Sequence, residues 1–96
     1  MRYFHRTSLS PDAVLEEADR FFGAHFAIAA TEERVRTFHA AIGEITIKVE
    51  AEGGHYTMII VKTDQVGESE ADKIAKRFLG VVHKRVKPDH QLRGAY

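Results

Sequence analysis

Residues 44–62 read EITIKVEAEGGHYTMIIVK, and the fold turns on how this stretch pairs with itself. Its first half alternates, with Ile45, Ile47 and Val49 on one side and Thr46, Lys48 and Glu50 on the other. That period-two pattern marks a strand with one buried face. Its second half carries Met58, Ile59, Ile60 and Val61 in a row and is apolar on both faces. Gly53-Gly54 between them suits a two-residue type I′ turn, because glycine accepts positive φ without strain. The turn then pairs Glu52 with His55, Ala51 with Tyr56, Val49 with Met58, Ile47 with Ile60 and Ile45 with Lys62.

Upstream, Arg34–Ile42 reads as a further strand rich in Val, Thr and Phe, joined to the hairpin by a two-residue turn at Ile42-Gly43. That turn sets Phe38 beside Ile47 and Ala40 beside Ile45. The expected inner face is Phe38, Ala40, Ile45, Ile47, Val49, Tyr56, Met58 and Ile60. The expected outer face presents Val35, Thr37, His39, Thr46, Lys48, Glu50, His55, Thr57, Ile59 and Val61.

The flanks complete the plan. Arg2 to Thr7 reads as a short edge strand. Ser10-Pro11-Asp12 is a helix start: a capping hydroxyl, proline at the first helical position and an acid at the positive end of the dipole. Val14, Leu15, Ala18, Phe21 and Phe22 follow at helical spacing, with Glu16, Glu17, Asp19 and Arg20 off that stripe and Gly23 as the stop. His25 to Thr31 is a further strand, turning at Glu32-Glu33. Ser69 and Asp72 form a capping-box variant before a last helix with Ala71, Ile74, Ala75, Phe78, Leu79, Val82 and Val86 along one face, ended by Pro88. The class is therefore α+β, order β-α-β-β-β-β-α, an antiparallel sheet with both helices on one face. Residues 1–88 are expected to form a single domain and 89–96 a loosely held tail.

Of the 96 residues, 44% are hydrophobic and 29% charged, an ordinary balance for a folded soluble chain. No apolar run approaches the roughly 18–20 residues that span a bilayer, and residues 1–11 lack the apolar stretch of a signal peptide. There is no cysteine, hence no disulfide, thiol nucleophile or zinc-thiolate site. A cytoplasmic protein is the expectation. The formal net charge is +0, but residues 1–72 hold seven Lys/Arg against thirteen Asp/Glu (−6) and residues 73–96 seven against one (+6). Such a dipolar chain is not built to bind nucleic acid as a whole.

The element order resembles the β-α-β4-α unit of a single TATA-binding-protein repeat. A strand running into SPDAVLEEA (10–18), with a long helix after the last strand, is also similar to a minimal START-type helix-grip domain. The resemblance lies in element order over nearly the whole chain and assigns no residue a role. The helix-grip likeness implies a small apolar ligand against the sheet, lined by Phe38, Tyr56, Met58 and Phe78.

Six histidines occur, none at HxH, HxxxH or HExxH spacing, so no metal site and no cofactor is expected. His39, Lys48 and Glu50 form the best acid–base trio that the expected face offers, but cross-strand pairing on an exposed sheet explains them better, and no catalytic residue is assigned. Lys73, Lys76, Arg77, Lys84 and Lys87 make a basic stripe on the last helix, which serves either as a solvated face or as a contact for phosphate or an acidic partner. With both helices inside, nothing covers the outer face. Its Thr37, His39, Thr46, Lys48, Thr57, Ile59 and Val61 are the expected interface, most simply in a homodimer, of a protein that is not an enzyme.

Overall fold

The computed structural model describes residues 1–24 and 26–86. Seven elements follow the expected order: β1 (Arg2–Thr7), α1 (Pro11–Gly23), β2 (Ala27–Glu32), β3 (Val35–Ala40), β4 (Gly43–Glu52), β5 (Tyr56–Thr63) and α2 (Glu70–Val86). The strands form one antiparallel sheet in the order β1-β5-β4-β3-β2, so the first strand is an edge, as its sequence suggests. Residue 25, where the sequence places the start of β2, lies outside the described residues, as do Lys87, Pro88 and the tail at 89–96.

α1 starts where its sequence says it should. Ser10 Oγ accepts the Ala13 N–H at 3.2 Å, and Pro11 opens the first turn. Val14, Leu15, Ala18 and Phe22 are buried against β3 and β4, while α2 lays Ala71, Ala75, Phe78, Leu79 and Val82 over β5, β1 and β4. Both helices thus cover the same face of the sheet. Phe22 ties the layers together, stacked on Phe38 of β3 at 4.9 Å and tilted against Phe78 of α2 at 5.2 Å. Glu17, expected on the solvated side of α1, is buried because it meets two guanidinium groups: Arg20 at 2.9 Å and Arg85 of α2 at 3.2 Å.

Three turns differ from expectation, with unequal consequences. β3 and β4 are joined through Ala41 and Ile42, pairing Ala40 with Gly43 and Phe38 with Ile45. The expected turn would have put positive φ on Ile42; the observed one puts it on Gly43, at +138°. The register moves by two residues, so every side chain keeps its face. The strand before β3 likewise turns one residue later, through Glu33 and Arg34.

The β4–β5 connection is the consequential one. Gly53 and Gly54 both take positive φ (+64° and +77°), but His55 joins them in a three-residue loop, and Glu52 pairs with Tyr56. Val49 now faces Ile59, and Ile47 faces Val61. This one-residue shift exchanges the two sides of β5. Ile59 and Val61 are 0% exposed, as core residues, and Thr57 and Thr63 are buried beside them. Tyr56, Met58 and Ile60, expected inside, lie outside.

The balance of energies favours this register. The two-residue turn would place Lys62 in the core opposite Ile45, an unpaired buried ammonium costing several kcal/mol. One added loop residue costs on the order of a few tenths of a kcal/mol in closure entropy. The threonines that replace Lys62 and Tyr56 inside are satisfied: Thr57 Oγ1 donates to the Leu9 carbonyl at 2.7 Å, and Thr63 Oγ1 to that of Gln65 at 3.1 Å.

Candidate binding face of the sheet

The strand pairings assign each residue of the face opposite the helices, which no described element covers. β1 contributes Arg2, Phe4 and Arg6; β5 contributes Lys62, Ile60, Met58 and Tyr56. β4 contributes Glu44, Thr46, Lys48, Glu50 and Glu52, and β3 contributes Val35, Thr37 and His39. Ala27, Ala30 and Glu32 of β2 complete the face. Directly paired residues make rows across the strands. One row runs Phe4, Ile60, Lys48, Val35, Glu32; the next runs Arg2, Lys62, Thr46, Thr37, Ala30.

The apolar centre is Phe4, Met58 and Ile60, with Phe4 51% exposed and Tyr56, 53% exposed, at the hairpin end. Around it stand Arg2, Arg6, Lys48 and Lys62 against Glu32, Glu44, Glu50 and Glu52. Two of these cations are paired within the face, Arg6 to Glu52 at 2.5 Å and Lys48 to Glu50 at 3.3 Å. Such exposed pairs contribute little to stability and remain available to a partner.

Of the residues expected here, Thr37, His39, Thr46 and Lys48 are on the face, with Thr37 Oγ1 and Thr46 Oγ1 3.5 Å apart. Thr57, Ile59 and Val61 are not: they point to the opposite side and are buried under the helices. The acid–base trio also separates, since His39 pairs with Glu44 rather than Thr46 and sits two rows from Lys48. The pocket expected among Phe38, Tyr56, Met58 and Phe78 does not form. Phe38 and Phe78 are fully buried in packed core, whereas Tyr56 and Met58 are across the sheet. Among the described residues no group of three His, Asp or Glu side chains is gathered to hold a metal ion, and no helix is long and apolar enough to cross a membrane.

The residues that the sequence reading missed, Phe4, Met58, Ile60, Arg2, Arg6 and Lys62, share one signal. Lys62 continues the alternation of β5, and a lysine belongs outside. Taking it as the phase marker puts Ile60 and Met58 outside with it.

β1 is held in place by a buried ionic knot on the inner side. Asp72, in the first turn of α2, is 0% exposed. Its carboxylate accepts the Tyr3 hydroxyl, the Glu68 N–H at 2.9 Å and Lys76 Nζ at 3.3 Å. Burial works against its charge, but these donors outweigh it and hold the carboxyl below the usual range. Tyr3 moves the other way, raised by burial and by the neighbouring carboxylate. Ser69 Oγ caps the Asp72 N–H at 3.1 Å, as the capping signature implies. The return bond goes to Glu68 instead of Ser69, and Glu68 itself takes φ +70°. By clamping Tyr3, the knot fixes which way Phe4 points.

The same knot breaks up the basic stripe of α2. Lys76 leans over the Tyr3 ring, 5.4 Å from its centre, and its ammonium is spent on Asp72. Lys73, Arg77 and Lys84 remain exposed. No protein-family model matches the chain, and no curated protein matches it.

Proposed function

We propose that this protein is a non-enzymatic association module of the cytoplasm that pairs face to face with a second copy of itself through the outer surface of its sheet. The observation that carries this reading is the apolar cluster of exposed Phe4 with half-buried Met58 and Ile60, which no described element covers. Isolated apolar residues need no explanation, but a contiguous patch rimmed by charges marks a contact surface.

A second copy is the fitting occupant because the face balances its own charge, four cations against four carboxylates. A polyanion gains little from such a surface. A two-fold axis along the strands lays the Phe4–Ile60–Lys48–Val35 row on the same row of its mate, reversed. Phe4 then meets Val35 and Ile60 meets Lys48, so β1 with Arg2 and Arg6 lies over β3, which presents no Lys or Arg on this face, and β5 lies over β4 with its Glu44, Glu50 and Glu52. Five strands at about 4.8 Å spacing, from about 20 Å for the six-residue strands to about 33 Å for β4, present roughly 570 Å², below the ~800 Å² per partner of a standard interface and close to its lower limit.

Sedimentation equilibrium over a range of concentrations tests the proposal. The wild type should be dimeric and the Phe4→Glu/Ile60→Glu double variant monomeric, with an unchanged far-ultraviolet circular dichroism spectrum. A wild type that stays monomeric at high concentration overturns it.

A further inference from the structure

A cleft of about 410 Å³ opens on the helical side of the molecule, away from the outer face. It is lined by Phe21, Phe22, Ala24 and Phe26, where α1 gives way to β2, by Ile74 of α2, and by Arg20 and Arg77. The aromatic wall is built by the core. Phe22 meets Phe21 edge-on at 4.9 Å and Phe26 edge-on at 5.5 Å, and the Phe26 N–H donates to the Phe22 carbonyl at 2.8 Å. These contacts keep the cleft from collapsing around a single mobile ring.

The two arginines differ. Arg20 is bound to Glu16 at 3.3 Å and Glu17 at 2.9 Å. Arg77 is exposed and, among the described residues, has no ion-pair partner. Lys73, one helical turn before it, adds to the positive field without competing for a carboxylate on the cleft. The result is an apolar slot, within the ordinary size range of ligand sites, with one unused guanidinium at its edge.

We infer that this cleft binds a small amphiphilic anion: an alkyl or aryl body ended by a single carboxylate. The body lies against Phe21, Phe26 and Ile74, and the carboxylate takes the guanidinium fork of Arg77. A carboxylate suits the site better than a multiply charged phosphate, because among the described residues only one guanidinium lining it lacks a carboxylate partner. This site is independent of the pairing face and stands whether or not the protein dimerises.

The test is a titration of ¹⁵N-labelled protein with decanoate, and separately with decanol. Decanoate should shift the amides of Phe21, Phe26, Ile74 and Arg77 saturably. Arg77→Gln should weaken decanoate about tenfold, as expected for one charge-assisted contact, and leave decanol unchanged. Ile74→Trp should fill the slot and abolish both. Absence of saturable shifts, shifts confined to Phe4 and Ile60 on the outer face, or equal decanoate affinity in Arg77→Gln would each overturn the assignment.

Discussion

Alanine at Ile59 and at Ile60 should have opposite fates, and the difference reads the β5 register directly. Ile59 is 0% exposed, opposite Val49 and beneath α2, whereas Ile60 is only half-buried, beside Phe4 and Lys48 on the uncovered face. Truncating a fully buried isoleucine removes its transfer free energy and leaves a cavity, together about 3 kcal/mol within a range of roughly 2–5. Truncating Ile60 removes only a partly buried side chain and opens no cavity, so about 0.5 kcal/mol is expected. A domain of this size is stable by roughly 5–14 kcal/mol, so both variants should fold. With a urea slope of about 1–1.5 kcal/mol per molar, Ile59→Ala should lower the unfolding midpoint by roughly 2–3 M and Ile60→Ala by less than about 0.5 M. Circular dichroism at fixed protein concentration supplies the curves, and a monomeric background such as Phe4→Glu removes any contribution of association. The same contrast should recur at Val61 and Met58. If Ile60→Ala and Met58→Ala were the costly pair, β5 would be facing the other way and the binding face described above would be wrong.

Two further outcomes follow from the buried polar groups. Asp72→Ala leaves the Glu68 N–H and the Tyr3 hydroxyl without their acceptor and should cost about 3 kcal/mol in urea unfolding; Tyr3→Phe should cost less, and the double variant less than the sum, since the two side chains share one bond. A loss at Asp72 under about 1 kcal/mol would mean that the knot does not secure β1. His5, on the inner side of β1 with its ring 6.1 Å from that of His83, is held below its ordinary value, first by burial and then by that neighbour. The folded state therefore resists a proton that the unfolded chain accepts. Stability should be full above about pH 6.5 and fall as the pH drops from there toward the folded value. His5→Gln should flatten this slope in unfolding midpoints measured from neutral to mildly acidic pH. An unchanged slope would place the titration elsewhere.

The parts of this fold that rest on local chemistry could be read from the sequence. Ser10-Pro11-Asp12 caps α1 whatever surrounds it, and the stripes at Val14, Leu15, Ala18 and Phe22 and at Ala71, Ala75, Phe78 and Val82 have one buried side each. β4 alternates so clearly that no shift of partner can hide its phase. What could not be read locally was decided at long range. β2 is weak in sequence because all six of its residues are exposed on an edge. Asp72 looks like a surface acid until Tyr3, 69 positions away, is folded onto it. β5 is the hardest case, because Met58, Ile59, Ile60 and Val61 satisfy a core in either phase and the glycines permit loops of two or three residues. Only Lys62 and the pairing with β1 break the tie.

That ambiguity bears on the functional argument in an instructive way. Because β5 is apolar on both sides, any register that buries one side leaves the other exposed, and both helices are already committed to the inner face. An apolar surface on this sheet that no described element covers is therefore a consequence of β5's composition, and the one-residue shift only changes its membership from Ile59 and Val61 to Ile60 and Met58. What the register does change is the chemistry of the rim. It brings Arg2, Phe4 and Arg6 of β1 alongside, adding an aromatic anchor and two guanidiniums to a face that already holds Glu50 and Glu52. The expected face, with Ile59 and Val61 among threonines, His39, Lys48 and Glu50, has no aromatic anchor and no arginine. One with Phe4 on its edge strand beside Ile60 and both charges around it has a preferred orientation, and in the proposed pairing a reversed copy of the same face supplies that orientation.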